Sequence, residues 1–173
     1  MTRMIFRYIM HFLLLVLLQL FVFNNVYLLQ LIHPLIYVYF ILFLPLSLNK
    51  NLLLLFAFGL GFIIDIFSNS YGMHTASSLL IAFLRTFYLN YLLAEEPNES
   101  HITPNIGNMG LRYFLFYILF FVFIHHFCLH IIQAYGFRDI LFTLLKIILN
   151  TIFSSFVILI YGLSFYFSEE KSK

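Results

Sequence analysis

"YIMHFLLLVLLQLFVFNNVYLLQLIHPLIYVYFILFLPLSLN", residues 8–49, contains no Asp, Glu, Lys or Arg. A membrane-crossing helix needs roughly 20 apolar residues, so a charge-free run of this length holds two crossings. The natural breaks are Asn24-Asn25 and His33-Pro34, because Asn favours turns and the residue before Pro avoids helix. A first helix is predicted over about 6–24 and a second over about 32–48. The piece between them, "NVYLLQLIH", is apolar but too short to span, and suits the membrane interface.

The whole chain has the same character. It is 173 residues long, 63% hydrophobic and 9% charged, with a mean hydropathy of +1.00. Such a composition excludes an ordinary soluble domain, and a net charge of +2 is too small for a nucleic-acid binder. Cys128 is the sole cysteine, which rules out an intrachain disulfide and a cysteine-based zinc site. The start, "MTRMIFRYIMHFLLLVLLQLF", is basic then apolar like a signal peptide, but no small-residue cleavage site follows. It is expected to stay as the first membrane helix.

Four further helices are predicted. "NKN" (49–51) turns the chain into helix 3 over about 52–68, and "SNSYG" turns it into helix 4 over about 73–93. "AEEPNESHITPNIGNMG" (94–110), rich in Pro, Gly and Asn, is a solvent loop. Helix 5 follows over about 111–134 and helix 6 over about 139–167. The expected fold is therefore an all-α polytopic membrane protein of about six transmembrane helices, forming one integral domain over 1–173. Arg3, Arg7, Lys50, Arg112, Lys171 and Lys173 fall at ends on the N-terminal side, and only Arg138 falls opposite. Positive-inside then places both termini and the 94–110 loop in the cytoplasm. Glu95, Glu96 and Glu99 carry little weight in that rule.

Charges at membrane depth are costly and point to structure or function. In "GLGFIIDIFSNSYGMHTASSLLIAFLR" (59–85), three- and four-residue spacing groups Ala57, Gly61, Asp65 and Ser68 on helix 3, and His74, Ser78, Ala82 and Arg85 on helix 4. Each stripe contains a small-xxx-small step that lets membrane helices approach closely, and the tight turn makes the two stripes face each other. Asp65 then lies within reach of His74, Ser77 or Ser78. It is either neutral and donating to helix 4, or ionised and paired with His74, as a polar clasp or as a contact for a partner or proton. Arg85 lies about 13 Å deeper, too far for an Asp65 ion pair, and is either a snorkelled anchor or an interaction residue.

This stretch resembles the core of the rod shape-determining protein MreD family, in its Bacteroidetes-like form. The shared pattern is Gly-x-x-x-Asp-x-x-Ser, Gly-x-His, small residues, then Ala and Arg: here Gly61, Asp65, Ser68, Gly72, His74, Ala76 and Arg85. The last element departs from the family, with Ala82 three rather than four residues before Arg85. "LQLFVFNNVYLLQLIHPLIYVYFILFLPL" (18–46) is also similar to the family's first two helices, with Gln19, Asn25, Pro34, Tyr37 and Pro45 in matching places. The resemblance covers about residues 10–92. It implies a non-enzymatic, multi-pass subunit of the bacterial inner membrane in the cell-elongation machinery. Such a subunit partners the periplasmic scaffold MreC and works near the actin-like filament and the transglycosylase–transpeptidase pair. It also implies a bundle similar to the substrate-binding subunits of energy-coupling-factor transporters.

Two other classes compete. One is a small-molecule-binding subunit of a vitamin-type transporter, with Asp65, Asn69, Tyr71 and His74 as the polar groups of an outer pocket. The other is an intramembrane metalloenzyme on "HHFCLH", where His126 and His130 share a helical face beside His125. No Glu stands there as a general base, and no nucleophile elbow or phosphate-binding glycine loop occurs, so neither an enzyme, a metal nor a cofactor is expected. His11 and His33 are expected at interfaces or in packing and His101 in the loop. Lys146, seven residues after Asp139, is expected to snorkel outward.

Overall fold

The computed structural model describes residues 2–26, 31–92, 103–134 and 139–170. Its long helices are α1 (Thr2–Phe21), α3 (Lys50–Ser68), α4 (Met73–Leu92), α5 (Ile106–Gln133) and α6 (Ile140–Glu170). Between α1 and α3 lie a 3-10 turn at Phe23–Asn25 and a six-residue helix, α2 (Val38–Phe43). Four helical stretches, Tyr8–Asn25, Lys50–Ser68, Ile106–Gln133 and Ile140–Ser164, are long and apolar enough to cross a membrane. Helix α4, 20 residues long, has the length as well but is more polar.

Local sequence explains most boundaries. The Asn49 side chain accepts from Asn51 N and caps α3, satisfying one of the first-turn donors. Asn69 at φ 51° takes the left-handed conformation that ends α3, and Gly72 at φ 88° completes the turn. Asn105 accepts from Asn108 N at 2.8 Å and starts a helical turn ahead of the expected residue 111. Gly110, at φ 74° and ψ 151°, then breaks that helix. The predicted loop 94–110 is therefore partly helical at its end. Residues 94–102, with Glu95, Glu96, Glu99 and His101, lie outside the described residues, as do Arg138, Lys171 and Lys173.

The second predicted helix, 32–48, is corrected. Only Val38–Phe43 is helical, and residues 33–36 run non-helically ahead of it. Two prolines cause this. Pro34 lacks a backbone donor and disfavours helix at His33, while Pro45 does the same to Leu44, which sits at φ −57°, ψ 146°. Leu35 to Leu44 are all buried, the most continuous buried run in the described chain. The segment begins with Leu31 and His33 near the α3–α4 turn and ends with Leu46 and Leu48 near Leu89, so it runs the length of the bundle.

The packing is inverted relative to a soluble protein. Helix α6 turns Asn150, Thr151, Ser154 and Ser155 inward and Ile148, Ile152, Phe156 and Ile160 outward. Helix α3 exposes Leu55, Phe62 and Ile66 while burying Asp65, and α4 exposes Phe83 and Phe87 while burying Arg85. An exterior of large apolar side chains over a polar interior suits lipid, where outward polar groups are unfavourable. The protein is membrane-embedded.

Candidate functional site

The polar interior forms three connected groups. The first closes the α3–α4 hairpin. Asp65 Oδ1 accepts from the Ser70 hydroxyl at 2.5 Å and His74 N at 3.0 Å, and Oδ2 from Thr75 N at 2.8 Å and the Thr75 hydroxyl at 2.5 Å. Four donors and no acceptor face the carboxyl, the arrangement of an ionised carboxylate. Two of those donors are first-turn amides of α4, so Asp65 caps that helix from the preceding one, against its positive end. The expected Asp65–His74 side-chain pairing does not form, and Ser77 and Ser78 are not its partners. Gly61 makes the close approach possible: a Cβ there would lie 2.5 Å from Thr75 Cα. Ala57 and Ala82 are fully buried, as is Ser78. Ser68 leaves the hairpin and accepts from Asn24 Nδ2 at 3.1 Å, tying α3 to the end of α1.

The second group surrounds the non-helical segment, whose amides lack helical partners. Gln19 donates from Nε2 to Pro34 O at 3.2 Å and accepts at Oε1 from Ile36 N at 2.8 Å. Asn150 donates from Nδ2 to Leu31 O at 2.9 Å and accepts at Oδ1 from His33 N at 2.6 Å. Each side-chain amide thus bonds the C=O of one residue and the N–H of the next but one, as a neighbouring strand would. The Ser154 hydroxyl accepts Leu35 N at 2.9 Å. At the far end, the Arg85 guanidinium donates to Leu44 O and, through Nε at 2.9 Å, to the Tyr117 hydroxyl. Tyr117 in turn donates to Leu42 O at 3.0 Å. Arg85 is only 2% exposed, so it does not snorkel; it holds the carbonyl of Leu44 at the C-cap of α2, while Tyr117 takes Leu42 O. Every one of these groups would otherwise be an unsatisfied backbone atom at membrane depth, costing several kcal/mol.

The third group joins the first two. The Tyr37 hydroxyl lies 2.8 Å from both His74 Nδ1 and His125 Nε2, linking α4, the central segment and α5. His126 Nε2 lies 2.9 Å from Ser154 Oγ. The histidines of "HHFCLH" are thereby drawn to separate partners, with His130 Nδ1 on Gln133 Oε1 at 3.1 Å. Among the described residues no three His, Cys, Asp or Glu side chains converge as a metal-holding group. His11 Nδ1 bonds the Tyr161 hydroxyl at 3.0 Å between α1 and α6.

A cavity of about 290 Å³ opens at the α3–α4 turn and is lined by residues from that turn, the central segment, α5 and α6. Asn69 and His74 line it, as an outer pocket requires, whereas Asp65 does not, and Tyr71, 91% exposed, points away. Lys146 lines it too, with Nζ 4.8 Å from the Phe142 ring centroid, rather than simply reaching outward. Asn150, Ser154 and Tyr117 were not signalled as site residues by sequence. The available sign was the stripe Asn150, Thr151, Ser154, Ser155 on one face of an otherwise apolar helix. In comparisons with known proteins, the chain matches no family model, no curated protein and no solved structure.

Proposed function

We propose that the chain is a non-enzymatic membrane subunit of the bacterial cell-elongation machinery. It sits in the plasma membrane and scaffolds an MreC-like periplasmic protein and the peptidoglycan synthases that build the lateral wall. The resemblance of residues 10–92 to the MreD family is the basis of this reading. The observation that supports it is the use to which the motif is put. Gly61, Asp65, Ser68, Gly72 and His74 close the α3–α4 hairpin or tie it to its neighbours, and Arg85 holds the end of the central segment. Gly72, in the turn, and Ala76 are the exposed members of the motif. A motif spent on architecture fits a scaffold whose working surface is the shape of its helix bundle.

In this proposal the chain crosses six times, with both termini and the 94–110 loop in the cytoplasm. The central segment serves as the second crossing. The six residues of α2 at about 1.5 Å each and the nine non-helical residues at up to about 3.3 Å each reach up to roughly 39 Å, so residues 31–45 suffice. A reporter after Lys173 then reads cytoplasmic and one at Tyr71 periplasmic. Depletion of the protein is expected to round rod-shaped cells, and the tagged chain to co-purify with a single-span, coiled-coil periplasmic protein. Unchanged cell shape and no such partner would reject the reading.

A further inference from the structure

The cavity at the α3–α4 turn has a lining of one charge sign. Lys146, His74, His126 and His130 contribute to it with the amides of Asn69 and Asn150, and no Asp or Glu is among the lining residues. Among the described residues Lys146 has an aromatic neighbour and no carboxylate.

The hydrogen bonding of His126 adds a direction. The Ser154 hydroxyl oxygen accepts Leu35 N, and its own proton has a single acceptor among its described partners, His126 Nε2. His126 Nε2 is therefore the acceptor nitrogen, and Nδ1 carries the hydrogen. Among the described residues that Nδ1 is buried and has no partner. A buried donor without an acceptor is unfavourable unless a ligand supplies one.

A second cavity, about 600 Å³, meets the first at His33 and Ser68 and runs between α1 and α3. Its other walls include Leu17, Leu20, Ile63 and Phe67. A small polar chamber with one lysine at the end of a bundle, adjoining an apolar groove along its side, has the form of a headgroup-and-chain site. The end of a membrane bundle is also the level at which headgroups lie.

We propose that this end of the protein binds an anionic phospholipid. Its phosphate occupies the chamber against Lys146 and His126, and an acyl chain lies in the α1–α3 groove. This does not rest on the cell-elongation reading, since a lipid site can sit on a scaffold or on any other membrane protein.

The test is native mass spectrometry of the delipidated full chain in detergent, titrated with phosphatidylglycerol, with phosphatidylcholine, and with inorganic phosphate. Wild-type protein is expected to retain one phosphatidylglycerol about tenfold more strongly than phosphatidylcholine, the scale of one charge-assisted hydrogen bond. Lys146→Gln removes that preference while the melting temperature of the lipid-free protein stays unchanged. Lys146→Met, which removes the charge and keeps the stem, acts in the same direction and serves if Lys146→Gln fails to accumulate. Equal retention of the two lipids by wild-type protein would overturn the proposal. So would a preference that survives both substitutions, or stabilisation by inorganic phosphate without any lipid preference.

Discussion

The α3–α4 hairpin and the 31–45 segment run beside each other through the bundle, but their backbones are satisfied in opposite ways. In the hairpin nearly every amide bonds within its own helix, and side chains serve only helix ends: Asn49 caps the start of α3, and at the turn Asp65 takes the first amides of α4. In the segment the order is reversed. The chain before α2 has no helical bonds of its own, and Gln19, Asn150 and Ser154 supply partners for His33, Leu35 and Ile36. Buried polar residues in an apolar bundle thus do two kinds of work. Some cap a regular element, and others stand in for one.

The difference predicts where substitutions do most harm. Asn150→Leu strands His33 N and Leu31 O together, and Gln19→Leu strands Ile36 N and Pro34 O. At about 1–3 kcal/mol for each unsatisfied group, either change costs roughly 2–6 kcal/mol, visible as lost accumulation or a lower melting temperature. Gly61→Leu comes next, at the upper end of roughly 1–3 kcal/mol for overpacking, because the obstacle is the backbone of Thr75. If Gly61→Leu proved far worse than Asn150→Leu, helix contact rather than side-chain supply would govern this fold.

Asp65 gives the smallest effects. Asp65→Leu loses the α4 cap, about 0.5–2 kcal/mol, since the Ser70 and Thr75 hydroxyls can rotate to other acceptors. Asp65→Asn keeps the oxygen facing Ser70 and His74 N and presents an amide to Thr75 N, so roughly half of that loss is expected. A stable, fully accumulated Asp65→Asn protein that no longer supports rod shape would mean that the charge itself acts on a partner.

The same contrast explains what the sequence disclosed. The hairpin was legible because its signals are local: Asn, Ser and Gly at 68–72, small residues spaced by four, and one acid near the turn. Pro34 marks where the expected 32–48 helix begins, but that helix runs on through Pro45, and the conformation of the segment was not legible. That depends on Gln19 and on Asn150, which lies 117 residues from His33, and no window along the chain joins them. Arg85 was visible as an anomaly. Its partner, a carbonyl at the end of α2, appears only once Pro45 has stopped that helix. The cavity was likewise hidden, because its lining comes from segments far apart in the chain.

The most direct test is hydrogen exchange resolved to residues 31–37 in wild-type protein and in Asn150→Leu, in detergent under conditions where both remain folded. If Asn150 holds the segment, His33 and its neighbours are protected in wild type. That protection falls in the variant, while the amides of His74 and Thr75 keep theirs. Protection of residues 31–37 that is unchanged by Asn150→Leu would show a backbone bonded to itself, a continuous helix, and would contradict the account.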